Sequence, residues 1–129
     1  MKQIQPEGWP RPSGYSNGMM SDGRVLALAG QIGWNPETRV FEAKDFVGQT
    51  RQALANIVSV LEMAGARPAH VVRLTWYITD RQAYLNSAKA LGTAYRELFG
   101  QHYPAMSVVV VAGLLEAQAL VEIEALAVV

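Results

Sequence analysis

The sequence predicts one α+β domain in which helices pack on one face of a sheet. Its length of 129 residues suits a single domain. Runs of β-branched and aromatic residues, each of strand length, alternate with two stretches of helical periodicity. Half of the residues are hydrophobic, and because a domain of this size buries only about two-thirds of the surface of its unfolded chain, some of these side chains stay uncovered in a single chain. No repeat, low-complexity tract or linker divides residues 1–129.

The N-terminal part predicts an arm followed by a pair of strands. Residues 1–14 should form an extended arm lying on the domain, because proline and glycine interrupt regular structure there. The interrupting residues are Pro6, Gly8, Pro10 and Pro12. Val25–Ile32 has the length of a strand, and the turn signal Asp22-Gly23 precedes it. We therefore expect Tyr15–Met20 to pair with it.

A first helix is predicted between Asp45 and Gly65. Asp45 can cap its N-terminus, and Gly65 followed by Pro68 ends it. Apolar residues recur at helical spacing and define the buried face: Leu54, Ile57, Val58 and Leu61.

A strand and a second helix follow. His70–Thr79 is rich in β-branched and aromatic residues and predicts a buried strand. The second helix should run from Asp80 or Arg81 to Phe99, with Gly100 ending it.

Two strands complete the predicted domain. Ser107–Leu114 is a continuous apolar run, typical of a strand covered on both faces. Ala119–Val129 is apolar except for two carboxylates, and forms the last strand.

Composition excludes several function classes. Eleven basic and eleven acidic residues give zero net charge, which argues against nucleic acid as a partner. Without cysteine there are no disulfides and no thiolate chemistry. No apolar run approaches the roughly 18 residues of a membrane span, and the N-terminus lacks the apolar core of a signal peptide. We expect a cytoplasmic protein that covers its excess of apolar surface by forming an oligomer.

The last predicted strand carries the most unusual polar residues. Glu122 and Glu124 are two positions apart, so both project from one face of the strand. A solvated sheet face would explain them without function. In a partly buried cleft, desolvation would instead raise the basicity of one carboxylate and let it accept a proton from water.

Other polar residues carry less information. His70 and His102 have no second imidazole at ligand spacing, so surface or capping roles are expected and no metal is assigned. Ser107 lies outside any G-x-S-x-G context. Gly30 and Gly33 do not form a phosphate loop and predict a bulge or a close backbone approach, a feature that also borders binding sites.

Seven segments together resemble the RidA family, also called YjgF and formerly known as the endoribonuclease L-PSP or translation inhibitor family. They occur in the family's order and span nearly the whole chain. The segments are Tyr15-Ser16, Ala29–Ile32, Gln49–Ile57, Leu61–Gly65, Val71-Val72, Pro104–Ser107 and Val121–Ala125.

The resemblance implies a chorismate-mutase-like α+β fold with a mixed sheet and two helices on one face. It also implies a homotrimer with a central barrel and small-molecule clefts between subunits. Family members hydrolyse reactive enamines and imines to a keto acid and ammonia without a cofactor. Carried onto this chain, Glu122 positions or activates water, while Tyr15, Gly30, Met106 and Ser107 belong to the cleft.

Two positions depart from the family's pattern. The arginine that holds the substrate carboxylate is replaced here by Met106, and the serine before the Gly-Gln pair by Ala29. A methionine fills the volume of an arginine stem but donates no hydrogen bond. Arg11 and Arg73 are candidates to replace the lost cation, and Trp34 could make the cleft more apolar.

Three interpretations follow. The first is a divergent hydrolase of an imine, an enamine or a related metabolite, with poor activity on simple 2-imino acids. The second is a non-catalytic trimer that binds a small metabolite or regulates a partner. The third is a ribonuclease, which would need a track of cations that the sequence lacks.

Overall fold

A four-stranded sheet with three helices forms the centre of the computed structural model, which describes residues 1–129. A two-stranded sheet at the N-terminus accompanies it. The elements along the chain are β1 (Lys2–Ile4), β2 (Gly18–Met20), β3 (Val25–Ile32), α1 (Phe46–Met63), β4 (Val71–Ile78), α2 (Arg81–Asn86), α3 (Ala88–Phe99), β5 (Ala105–Val110) and β6 (Val121–Val128).

The central sheet is mixed, as expected. Its strands lie in the order β3-β6-β4-β5, with β4 and β5 parallel and the other pairs antiparallel. The core lies between one sheet face and the helices, where α1 contributes Leu54, Ile57 and Leu61 and the sheet contributes Leu74 and Ile123. The predicted α+β class, with helices on one face, is confirmed.

Local sequence signals account for the ends of α1. The Asp45 carboxylate accepts a hydrogen bond from the Gly48 amide at 3.0 Å and so caps the helix. After Met63 the chain turns through Gly65, whose φ of 70° favours glycine.

The predicted pairing of Tyr15–Met20 with β3 is wrong. Strand β2 pairs instead with β1, with Ile4 opposite Gly18. The cause is an anchor at Ser16, whose amide donates to the Pro104 carbonyl at 3.0 Å and whose hydroxyl donates to the Tyr103 carbonyl at 2.5 Å. This anchor holds the segment at the β5 edge of the sheet, away from β3.

The second predicted helix is interrupted at Ser87. Asp80 caps α2 through hydrogen bonds from the amides of Gln82 and Ala83. At Ser87 the backbone leaves helical geometry (φ −109°, ψ 12°), and its amide bonds to the Tyr84 carbonyl three residues back. The chain then continues as α3, which ends at Gly100.

The apolar run after Pro104 forms a shorter and more exposed strand than predicted. β5 ends at Val110 because its neighbour β4 ends at Ile78, directly opposite. β5 is an edge strand, so one of its hydrogen-bonding edges has no partner strand. Neither of its faces is fully covered within one chain, because Val109 and Val110, which point to opposite faces, are 41% and 54% exposed. The chain thus leaves an apolar sheet edge open to another molecule.

Candidate functional site

A groove of about 990 Å³ lies between the N-terminal segment and α3. We call it the arm groove. One wall is formed by the segment from Gln3 to Asn17, the opposite wall by α2 and α3, and the floor by β4 and β5. Its volume is in the range of pockets that bind small organic molecules.

Hydrogen bonds within the arm fix the first wall. The Gln5 side chain donates to the carbonyls of Trp9 and Pro10, both at 3.2 Å, and accepts from the Asn17 amide group at 2.6 Å. The Ser16 anchor ties the end of the arm to the start of β5. The arm, predicted to be extended, therefore forms a strand and a closed loop that shape the groove.

Six aromatic residues line the groove: Trp9, Tyr15, Trp76, Tyr84, Tyr95 and Tyr103. Tyr84 packs edge-on against Trp76, and Tyr95 stacks on Tyr103 with ring centroids 5.5 Å apart. Burial raises the pKa of the Tyr84 phenol, and burial beside Tyr103 raises the pKa of the Tyr95 phenol well above its usual value. Both phenols therefore ionise at a higher pH than a free phenol does.

Two of the predicted site residues meet in this groove. Tyr15 lines it from the arm, and Met106 lines it from β5 while packing against the main core. Met106 lies opposite Leu74 of β4, so its side chain is on the helix-covered face of the sheet. Trp34 does not line the groove; it packs against Phe41 in a separate small cluster.

Two other predicted site residues meet elsewhere. The carboxylate of Glu122 lies against Gly30, where a β-carbon would overlap it. The pairing of β3 with β6 is irregular between Leu28 and Gln31, so the predicted bulge is present at this point. Gly33 makes a comparably close approach to the backbone of Gln49.

The second carboxylate of β6 has a partner of its own. Glu124 accepts a hydrogen bond of 2.7 Å from the Tyr77 hydroxyl. That bond, with burial and the negative charges of Glu124 and Glu122, raises the pKa of the Tyr77 phenol. Glu122 and Glu124 are both half-buried and project from the same face, as the strand period predicts.

Within one chain these two groups of residues lie on opposite faces of the sheet. Glu122 is opposite Tyr77 and Met106 opposite Leu74, and Leu74 and Tyr77 point to different faces of β4. Ser107 and Arg73 lie on the Glu122 face, where Arg73 donates to the Thr75 hydroxyl at 3.3 Å. Arg11, in contrast, lines the arm groove.

The histidines have local structural partners. His70 accepts a hydrogen bond from the Arg67 amide at 3.0 Å and caps a short 3₁₀ turn, while a ring nitrogen of His102 lies 2.7 Å from the Val71 carbonyl. The chain contains no group of three or more His, Asp or Glu side chains arranged to hold a metal ion. None of its helices combines the length and apolar character needed to cross a membrane.

Sequence reasoning missed the contribution of α3 to the groove. The sequence predicted only a helix over this region, and it did not distinguish Arg96 from the other arginines of the chain. The available signal was Gly92, a glycine inside a helix four residues before Arg96. Both residues line the arm groove.

Comparisons with known proteins agree with this fold. A family model described as endoribonuclease L-PSP matches residues 10–129. A RutC family protein of Pyrococcus horikoshii is 36% identical over 124 residues, which are 96% of this chain and 94% of that protein. The 2-iminobutanoate/2-iminopropanoate deaminase of Escherichia coli strain K12 is 34% identical over 131 residues, covering 98% and 97% of the two chains.

Solved structures give the same answer. A Yersinia pestis protein of the conserved Rid family, described as of unknown function, aligns with a TM-score of 0.86 and 34% identity, over 99% of this chain and 98% of that one. The yjgF gene product of Escherichia coli aligns with a TM-score of 0.69 and 34% identity over the same shares. The fold, the family model and the identities lead to one conclusion: the chain belongs to the RidA/YjgF family.

Proposed function

We propose that the protein hydrolyses an imine or enamine of a small acid to the keto acid and ammonia, at a site that two copies of the chain form together. The observation that carries this proposal is Glu122, a half-buried carboxylate held against Gly30 beside a bulge. The name of the Escherichia coli relative, 2-iminobutanoate/2-iminopropanoate deaminase, supports the reaction class.

Two copies are needed because a single chain holds the arm groove and Glu122 apart. The arm groove and Glu122 lie on opposite sides of the sheet. The Glu122 face leaves Val25 and Leu126 exposed, and β5 presents an open edge. We infer a homotrimer in which these faces meet around a central barrel, so that each arm groove lies beside Glu122 of a neighbouring copy.

Glu122 would act as the proton relay. Water adds to the imine carbon and loses a proton to the carboxylate, while the C=N electron pair moves to nitrogen, which takes up a proton. In the resulting carbinolamine the hydroxyl loses its proton to the carboxylate as C=O forms, the amino nitrogen takes up a proton and keeps the electron pair of the breaking C–N bond, and ammonia leaves. Atoms balance as imine plus water gives ketone plus ammonia, with no oxidant, reductant or cofactor required.

Met106 limits the substrates. The resemblance places a carboxylate-binding arginine at this position, and a thioether cannot replace its charged donors. We therefore propose poor turnover of simple 2-imino acids. The same residue favours the second candidate function, a trimer that binds a small metabolite in the arm groove without turning it over. The endoribonuclease interpretation has less support, since Arg11 and Arg96 are the only cations of the groove and form no track.

The test uses imines generated in situ by an amino-acid oxidase from amino acids of different side-chain size. Hydrolysis competes with trapping by semicarbazide, so an active protein lowers the yield of the trapped product. We expect acceleration by the wild-type protein and a loss of at least about 10²-fold in Glu122→Gln, the typical contribution of a general base.

Glu124→Gln is the matched control, since it changes the same group two positions along the same strand face. It should keep most of the activity. No acceleration with any imine of the panel would overturn the hydrolase proposal in favour of binding without turnover, and full activity in Glu122→Gln would remove the proposed proton relay.

A further inference from the structure

Two guanidinium groups line the arm groove without a carboxylate partner. Arg11 comes from the arm and Arg96 from α3, and the groove lining contains no aspartate or glutamate. The one ion pair of the chain is formed elsewhere, by Arg51 and Glu97. An aromatic groove with an uncompensated positive charge is complementary to an anion that has an aromatic body.

The Arg96 side chain has a defined place in the groove. A β-carbon on Gly92 would lie 3.1 Å from the Arg96 Nη1 atom, so the guanidinium lies over the bare backbone one helical turn before its own residue. Because Gly92 has no side chain, the guanidinium can rest against α3 while its donors face the groove that both residues line.

A second observation points to a missing hydrogen-bond acceptor. Trp76 lines the groove floor and is only 3% exposed. Its Nε1 is the single buried side-chain polar atom of the chain that lacks a hydrogen-bond partner. Buried donors are nearly always satisfied in native proteins, so this donor beside the groove floor is a polar atom for which the chain itself supplies no acceptor.

We propose that Arg96 is the carboxylate-binding residue of the arm groove and that the groove takes acids with an aromatic side chain. The guanidinium fork pairs with the carboxylate and supplies the charge that Met106 does not. The ring packs between the arm and α2, against Trp9 and Tyr84. That these acids are the imine substrate or its keto acid product rests on the proposed function. Their binding at Arg96 does not depend on it.

Direct binding tests the assignment without requiring turnover. Isothermal titration calorimetry would compare three stable probes: 3-phenylpropanoate, its uncharged analogue 3-phenylpropanamide, and butanoate, which lacks the ring. We expect 3-phenylpropanoate to bind the wild-type protein at least about tenfold more tightly than either of the others, since one lacks the charge and the other leaves the aromatic walls unfilled.

Variants then locate the charge. Arg96→Met should weaken binding of 3-phenylpropanoate at least about tenfold without changing binding of the amide, and Arg96→Lys should be intermediate because it keeps the charge but loses the fork. Arg81→Met, an exposed arginine on α2 outside the groove, is the matched control and should bind like wild type.

Several results would overturn the proposal. These are no binding of 3-phenylpropanoate, equal binding of the amide or of butanoate, or wild-type affinity in Arg96→Met. Loss of binding in Arg11→Met but not in Arg96→Met would show that Arg11, and not Arg96, binds the carboxylate. Failure of the proposed function is distinct: this binding pattern without any imine hydrolysis would leave Arg96 assigned and remove the catalytic role of Glu122.

Discussion

The carboxylate of Glu122 lies against Gly30, at the point where the β3 bulge brings the backbone of one strand beneath the side chain of another. The contact joins two residues that are 92 positions apart in sequence. It explains why position 30 is a glycine, because any side chain there would occupy the space of the carboxylate.

Gly30→Ala should therefore displace Glu122 without removing it. We expect a loss of about 10²-fold in kcat for imine hydrolysis, the scale of a misplacement of roughly 1 Å in a catalytic group. Gly113→Ala is the matched control, since a β-carbon at position 113 meets nothing within 4 Å. Wild-type kcat in Gly30→Ala would show that the placement of Glu122 against the bulge has no catalytic importance.

Met106→Arg should improve activity on the smallest 2-imino acids. Loss of one partner of a buried charge pair costs on the order of 2 to 5 kcal/mol, so restoring the partner should raise kcat/KM for 2-iminopropanoate at least about tenfold. Met106→Gln controls for side-chain length and polarity without charge, and should give little gain. High wild-type activity on this substrate, with no gain in Met106→Arg, would contradict the proposed effect of the missing arginine.

Gln49 should be important for stability, because it links α1 to the segment that leads into β6. Its side chain is 1% exposed, accepts from the Leu120 amide at 2.8 Å and donates to the Gln118 carbonyl at 3.0 Å. Gln49→Leu removes the partners of these part-buried groups, which should lower the free energy of unfolding by about 1 to 3 kcal/mol.

Urea unfolding at one fixed protein concentration measures this difference, since the stability of the proposed trimer would depend on concentration. Gln82→Leu, on the exposed surface of α2, should change stability by less than about 0.5 kcal/mol. Equal effects of the two substitutions would show that the buried bonds of Gln49 contribute nothing.

Tyr95 should make the fold sensitive to alkali. Its pKa is raised in the folded state, whereas an unfolded phenol ionises near pH 10, so the unfolded chain releases this proton first. The free energy of unfolding should then fall above about pH 10, with this group contributing up to about 1.4 kcal/mol per pH unit.

Tyr95→Phe should flatten that decline while costing about 1 kcal/mol at neutral pH, through loss of the 2.5 Å bond to the His102 carbonyl. Tyr84→Phe also removes a phenol of raised pKa, but that phenol makes no hydrogen bond, so the free energy of unfolding at pH 7 should not change. Chemical denaturation at pH 7 and between about pH 9 and 11.5 checks both, since this range spans the ionisation of an unfolded phenol. An unchanged alkaline slope in Tyr95→Phe would contradict the assignment.

Local patterns predicted the elements that depend on short-range physics. The Asp45 cap, the Gly65 stop and the shared face of Glu122 and Glu124 follow from residue type and strand period, and the structure has all three. The partner of Gly18–Met20 was missed because pairing depends on Ser16 reaching Pro104, a contact across 88 residues.

The same limit applies to the site. Periodicity placed Glu122 on one face of β6, but only the register of three strands shows that Met106 lies on the other face of the sheet. The arm groove was not predictable, since its walls come from segments about 80 residues apart, and Arg96 becomes notable only when its guanidinium is seen over Gly92.

The central claim is that the arm groove of one copy and Glu122 of another form one site, and co-assembly of two inactive variants tests it most directly. Gly92→Phe fills the groove, and Glu122→Gln removes the proton relay. Each variant alone should be inactive in imine hydrolysis. Co-expressed in equal amounts and purified through two different affinity tags, they should form mixed trimers with about a third of the wild-type activity, because every mixed trimer pairs an open groove with an intact Glu122 at one of its three sites. Mixed trimers that stay inactive, or a fully active Gly92→Phe protein, would contradict the account.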